Sequence, residues 1–287
     1  VTAGADRARS ARAEGAPPAH HVLRFQDVDS TQTVALALAA DGAADGTVVV
    51  ADFQRRGRGR RGHVWLASPG TSLLMSVVIR PRVISREVPL YSFVAAVAVA
   101  DALRDTAGVV AELRWPNDVL VRRRKIAGIL LEAHHLGREG HHVSAPGAAA
   151  ATEPGDAGAV VVGIGVNLGQ RGFPAGLGAR ATSVVLETGH DLDREALLTG
   201  VLARLDGWRA RLEADGFTPI RARWLASSAT IGRSVRIDGV SGVAVDVAPD
   251  GALVIDDGAS LRHVTAGEVV DMSAPTAGPE PSHAPRR

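Results

Sequence analysis

From Leu90 to Leu103 the chain reads LYSFVAAVAVADAL, an almost wholly apolar run whose one charge is Asp101. At 14 residues it falls well short of the roughly 20 that a membrane span requires. Other parts of the same chain must therefore cover it, and a helix apolar on all sides is a buried helix. Pro89 is placed at its first turn, where a missing N–H costs nothing, and the helix is expected from about Pro89 to Thr106. Around this helix, β-branched runs alternate with helical ones. Strands are expected at His21 to Asp27, Thr47 to Phe53, Ser72 to Ile79, Glu112 to Trp115, Val119 to Val121, Lys125 to Glu132 and Ala159 to Val166. A further helix is expected to be capped by Ser30 or Thr31, to bury Val34, Leu36 and Leu38, and to end near Asp41-Gly42. Two more are read at Asp193 to Asp215 and Pro219 to Leu225. The alternation predicts an α/β (α+β) domain.

The 287 residues, 46% hydrophobic and 22% charged, suffice for one full-sized domain with a smaller companion. From Gly232 the texture changes to short β segments punctuated by Asp238-Gly239, Pro249-Asp250-Gly251 and Asp257-Gly258, which are turn signals between alternating strands. The expected organisation is a flexible arm at 1–20, a main domain at 21–230, a small all-β domain at 231–271 and a disordered tail at 272–287. Within the main domain, 137–158 is a low-complexity insertion joining two strands.

Several classes of function fall away. With no cysteine there is no disulfide, no thiolate metal site and no cysteine nucleophile, which fits a reducing interior. A net charge of +1 leaves polyanion binding to local clusters only. The N-terminal residues carry arginines but no apolar core, so no secretory signal is read there. His134, His135, His141 and His142 flank a loose glycine-rich stretch without the spacing of a metal site, so no protein-built metal centre is expected.

The strongest local feature is QRRGRGRRGHVW, Gln54 to Trp65, directly after a predicted strand. Arg55, Arg56, Arg58, Arg60 and Arg61 offer charged planar forks for carboxylates and phosphates, and the glycines let backbone approach a ligand. Gly57, Gly59 and Gly62 also spell the dinucleotide fingerprint, but loop and strand follow where that motif needs a helix, so it is rejected. Gly163 and Gly165 lack the third glycine and are read as a turn where backbone meets ligand or neighbour, with Asn167 beside it. In RWPNDVLVRRRKIAGILLE, Pro116 forces a turn that sets Asn117 and Asp118 at a strand end, while Lys125 opens an apolar strand beside Gly128. Taken singly, each has an ordinary reading: a solvated basic turn, a core tryptophan at Trp115, an exposed charge at Lys125.

In order and spacing, DSTQ (Asp29 to Gln32), QRRGRGRRGHVW, RWPNDVLV, KIAGILLE and VVGIGVNL resemble the motif series of the biotin protein ligases. The resemblance spans about residues 22 to 271, including ATS at 181–183. It implies a mixed-sheet catalytic domain with helices packed on it and a small C-terminal SH3-like β-barrel. It also implies a cytoplasmic enzyme that uses ATP with Mg2+ to turn biotin into biotinyl-AMP and diphosphate. Biotin then passes to a lysine of the biotin carboxyl carrier domain of an acetyl-CoA or acyl-CoA carboxylase. By the same resemblance Lys125, Arg58 and Arg60 are catalytic. Ser30, Thr31 and Gln32 hold the ureido ring, with Gln54, Gly59 and Gly128 completing the biotin site. His63, Trp65, Arg114, Asn117, Asp118 and Asn167, with Arg60, serve ATP.

Three positions depart from the family pattern: Gln32 for Asn, Arg114 for Lys and His63 for Arg. All keep hydrogen-bonding capacity. The short N-terminal arm leads us to expect no DNA-binding domain, and we expect no membrane association and a monomer or weak homodimer. Rival readings are a lipoate or octanoate protein ligase of the same fold and an arginine-rich nucleic-acid-binding module, whose affinity would fall steeply with salt.

Overall fold

The computed structural model describes residues 20–83, 85–134 and 158–272. Seven strands form the larger sheet: β1 (His21–Val28), β2 (Thr47–Gln54), β3 (Ser72–Ile79), β4 (Glu112–Arg114), β5 (Asp118–Val121), β6 (Arg124–His134) and β7 (Ala159–Asn167). Their order is β1-β2-β3-β7-β6-β5-β4, with β1 and β2 parallel and the other neighbours antiparallel. Parallel neighbours need a crossover, and α1 (Thr31–Ala40) supplies it on one face. The expected mixed sheet is present.

The apolar run forms α2 (Tyr91–Ala107), buried at nearly every position from Tyr91 to Leu103. It packs on the other face and is covered by α4 (Arg194–Asp215) and α5 (Thr218–Leu225). Pro89 lies one turn earlier than expected, in a 3-10 turn at Ser85–Leu90. Asp101 is buried among apolar neighbours but is not alone. It accepts from Trp208 Nε1 at 2.9 Å and Arg223 Nη2 at 2.6 Å, so its charge is paired where an isolated one would be costly.

The inward face of α1 differs from the sequence reading. Thr31, Ala35 and Ala39, four apart, are buried, while Val34, Leu36 and Leu38 flank them half-buried. Small side chains let the helix lie close to Val49, Val78 and Val161, and the larger residues wedge in at its sides. Gly163 and Gly165 also differ, lying inside β7 rather than in a turn.

The second sheet comprises β8 (Ser234–Ile237), β9 (Val240–Val247), β10 (Leu253–Asp256), β11 (Leu261–Val264) and β12 (Val270–Asp271), antiparallel in the order β11-β10-β9-β8-β12. This is the SH3-like module, and its β8–β9 turn carries Asp238 and Gly239, both at positive φ. A short helix absent from the sequence reading, α3 (Val184–Thr188), is capped by Ser183 Oγ. The arms at 1–20 and 272–287 and the insertion at 137–158 lie, except for His20, Gly158 and Met272, outside the described residues. Among the described residues no helix is long and apolar enough to cross a membrane.

Candidate active site

On the face shared with α1, β7 presents Ala159 and Val161 to the helix and then Gly163, Gly165 and Asn167 beyond it. Gly165 pairs directly with Gly128 of β6. A methyl group at Gly165 would lie 2.6 Å from the Trp65 ring, and one at Gly128 would lie 2.9 Å from Lys125 Cε. A side chain at Gly165 would displace the indole and one at Gly128 the end of Lys125, and the two residues line a cavity of about 320 Å3. Three walls surround it: the arginine loop, the β4–β5–β6 hairpins, and residues 173–181 after β7.

The arginine loop doubles back on itself. Trp65 N donates to Gly57 O at 2.9 Å and Gly59 N to His63 O at 2.7 Å, so a Cβ at Gly57 would fall 2.4 Å from Trp65 O. This folding sorts the arginines. Arg55 turns away to Asp27 (2.9 Å) and Asp29 (3.2 Å). Arg58, Arg60 and Arg61 line the cavity. Arg58 Nη2 donates to Glu132 Oε1 at 2.6 Å, and Arg60 Nη1 to Asn117 Oδ1 at 3.2 Å. Burial pushes the Arg60 guanidinium below its ordinary range, partly offset by the charge of Asp118. Arg61 makes a two-pronged contact with Asp238 at 3.0 Å, reaching from the loop into the SH3-like module.

Next to Asn117 stands Asp118, also on the cavity wall. Lys125 Nζ is 2.6 Å from one of its oxygens and Arg114 Nη2 is 2.5 Å from the other. Burial alone would raise this carboxyl, but the Lys125 and Arg114 charges outweigh it and hold it below the ordinary value. Lys125 is fixed by its backbone too, donating to Arg180 O at 2.7 Å and accepting from Thr182 N at 2.9 Å. Asn117 Nδ2 donates to Ile129 O (2.6 Å) and Asn167 Nδ2 to Thr182 O (3.0 Å). The WPND turn is anchored in turn to the SH3-like end of the chain, since Trp115 N donates to Thr230 Oγ1 and Nε1 to Gly251 O, each at 3.0 Å.

Thirteen sequence-predicted residues come together on the cavity wall: Thr31, Gln54, Arg58, Gly59, Arg60, His63, Trp65, Arg114, Asn117, Asp118, Lys125, Gly128 and Asn167. Ser30 and Gln32 do not line it. Both are buried; Ser30 Oγ has no partner, and Gln32 packs over Gly163. Sequence reasoning missed Arg180, Phe173 and Leu177, and residues 267–269 of the SH3-like module, which complete the wall. The closeness of Arg180 to ATS was a usable signal; nothing local marks 267–269.

Arg58, Arg60, Arg61, Arg114, Lys125 and Arg180 face only Asp118 and Glu268 among the carboxylates of the wall. Such a cavity receives an anion, with preorganised donors for charge that grows during reaction. Among the described residues no three His, Cys, Asp or Glu side chains gather as a metal site.

The mixed sheet with this cationic cavity and the SH3-like module place the chain, by the family models that it matches, among the biotin and lipoate protein ligases. Residues 22–145 match the biotin/lipoate A/B protein ligase family and residues 230–270 the biotin protein ligase C-terminal domain. A biotin--[acetyl-CoA-carboxylase] ligase of Paracoccus denitrificans is 37% identical over 84% of this chain and 96% of its own length. One of the same description from Mycobacterium tuberculosis is 34% identical over 85% and 86%. The biotin protein ligase of Aquifex aeolicus, solved with biotin and ATP, superposes with a TM-score of 0.71 at 26% identity, over 87% of this chain and 97% of that one. This chain belongs to the biotin protein ligase family, and it is an enzyme of that class.

Proposed function

We propose that this chain activates biotin with ATP and transfers it to a lysine of a biotin carboxyl carrier domain, with the cavity residues in the following roles. The carboxylate of biotin attacks the α-phosphorus of ATP. A P–O bond forms to the carboxylate, the bond to the β-phosphate bridging oxygen breaks, and diphosphate leaves with that electron pair. Both reactants are anions, so their approach is opposed unless cations are already in place. Arg58 and Arg60 from the loop and Lys125 from β6 flank the meeting point of carboxylate and α-phosphate. Arg114, Asn117 and Asn167 take the nucleotide side, with His63 and Trp65 beside them.

Mg2+ fits this site as a companion of ATP rather than as a protein-built centre. Mg2+ is commonly held by one or two carboxylates together with substrate phosphates. Asp118, kept anionic by its neighbours, is the cavity carboxylate suited to that task. The metal would supply charge neutralisation on the departing diphosphate.

In the second step the neutral amine of the acceptor lysine attacks the acyl carbon. The C–N bond forms, the acyl–O bond to AMP breaks, and the amine proton leaves with solvent. AMP is a good leaving group, so the enzyme needs chiefly to position the amine and exclude water. Phe173 and Leu177, apolar residues of the cavity wall, suit the second task.

The observation that carries this reading is the convergence of Arg58 and Arg60 with the Lys125–Asp118–Arg114 group on one cavity. It is tested by following diphosphate release from ATP and Mg2+ with the purified chain. Release that depends on biotin supports the reading. Release that depends on lipoate or octanoate, and not on biotin, overturns it.

A further inference from the structure

Lys125 and Gly128 share the cavity face of β6: both line the cavity, and a Cβ at Gly128 would lie 2.9 Å from Lys125 Cε. In a regular strand side chains alternate, so residues at i and i+3 point to opposite faces. The pairing with β5 explains the exception. Val119 pairs with Ala127 and Leu120 with Lys125, which leaves Ile126 without a partner on β5, a β-bulge. Without the bulge Ile126 would pair with Leu120 and Lys125 with Val121, whose side chain belongs to the core around α2. The bulge therefore turns the lysine from that core to the cavity.

A bulge interrupts its ladder, and the pairing of β7 with β6 begins only at Ala127. The backbone of Lys125 is held instead by residues 180–182, since Arg180 O accepts its N–H and Thr182 N donates to its C=O. Glu187 of α3 fastens this segment. Its Oε1 accepts from Thr182 Oγ1 at 2.5 Å and from Arg124 Nη2 at 2.7 Å, and its Oε2 lies 3.7 Å from Arg122 Nη1. The Glu187 side chain is 4% exposed, so this carboxylate depends on those partners. Asn167 holds Thr182 as well, through its carbonyl. Glu187 is the link from Thr182 to the residue next to Lys125. Glu187, Arg124 and Thr182 all stand outside the cavity wall.

We infer that Glu187 is a positioning residue for Lys125: by clamping residues 180–182 to Arg124 it keeps the bulge at Ile126, and with it the ammonium in the cavity. The inference rests on the role given to Lys125 above and extends it to a carboxylate that touches no substrate.

The test is steady-state diphosphate release from ATP, Mg2+ and biotin by the full chain and five variants, each with a melting curve. They are Glu187→Ala, Glu187→Gln, Thr182→Val, Lys125→Ala and the double variant Lys125→Ala/Glu187→Ala. Glu187→Ala is expected to lower kcat about tenfold, the scale of a displaced group, with both KM values within about twofold of the parent. Thr182→Val opens the same clamp at its other end and should act in the same direction. Glu187→Gln, whose amide oxygen still accepts from both donors, should recover most of the loss. The double variant decides whether the effect runs through Lys125. With the ammonium gone there is nothing left to position, so Glu187→Ala should lower the residual rate of Lys125→Ala by less than about twofold.

Losses that multiply in the double variant overturn the inference, as does a kcat within about twofold of the parent in both Glu187→Ala and Thr182→Val. Unfolding of both at the assay temperature also overturns it, being the mark of a merely structural role. If the unsubstituted chain releases diphosphate with biotin and the variants give one of these results, only this inference fails. If the unsubstituted chain does not, both it and the biotin reading fail.

Discussion

Lys125 Nζ lies 2.6 Å from Asp118 Oδ1, a contact made across the β5–β6 hairpin by residues seven apart in the chain. The same carboxylate holds Arg114, so one buried anion orients two cations toward one cavity. Lys125 also approaches the Trp65 ring, 5.8 Å from its centroid, which sets its side chain between the hairpin and the arginine loop.

Lys125→Ala is expected to reduce biotin-dependent diphosphate release by about a hundredfold or more, the scale of removing a preorganised donor at developing charge. Loss of the side chain takes one of two cations from the buried Asp118, which keeps Arg114, so the thermal midpoint should fall while the chain still unfolds cooperatively. Rapid-quench measurement of adenylate formation, paired with a melting curve, checks both halves. Release at the parent rate would remove Lys125 from the chemistry.

Asp118 makes the fold sensitive to acid in a defined window. Burial would raise its carboxyl, yet the Lys125 and Arg114 charges hold it below the ordinary 3.8. Between that lower value and 3.8 the unfolded chain binds the proton more readily than the folded one, so stability rises with pH there. The stabilisation from Asp118 is therefore fully present above 3.8 and is lost as pH falls through the folded value. Denaturant unfolding at a series of pH values should show a constant difference between the parent and Asp118→Asn above this window, narrowing below it. A difference that widened on acidification would contradict the assignment.

Gly165→Ala should disturb the wall of the cavity. Its Cβ would fall 2.6 Å from the Trp65 indole, closer than carbon atoms tolerate, so the ring must move. Binding of biotin should weaken and tryptophan fluorescence should shift, whereas Gly172→Ala, where a Cβ meets nothing within 4 Å, serves as a control. Equal affinities for the two variants would show that Trp65 yields without consequence.

Much of the fold was legible because burial leaves period and punctuation in the sequence. β3 was read to the residue, and the Asp193 cap and the far end of α4 matched. α1 misled in part because size, not polarity, decides which side of a helix lies closest to a sheet: Ala35 and Ala39 face it directly, and Leu36 and Leu38 pack half-buried at the sides. α3 is only five residues long, too short to show a helical period. Gly163 and Gly165 looked like a turn because glycine signals both bends and close approach, and only the neighbouring Trp65 and Gln32 tell which applies.

The site divides along the same line. Motif residues were visible because their side chains are unusual for their elements. Ser76 was not, since only its pairing with Gly163 of β7 sets it behind the wall, and Phe173 and residues 267–269 lie in irregular segments that carry no local mark. The three departures from the family pattern also separate in space: Arg114 and His63 line the cavity, while Gln32 lies behind it between Ser76 and Val161.

The central claim is tested most directly by incubating the purified chain with ATP, Mg2+, labelled biotin and a biotin carboxyl carrier domain, and measuring label on the carrier. The account predicts stoichiometric labelling of a single lysine that depends on ATP and is lost with Lys125→Ala. An unlabelled carrier, with lipoate attached in place of biotin under the same conditions, would contradict it.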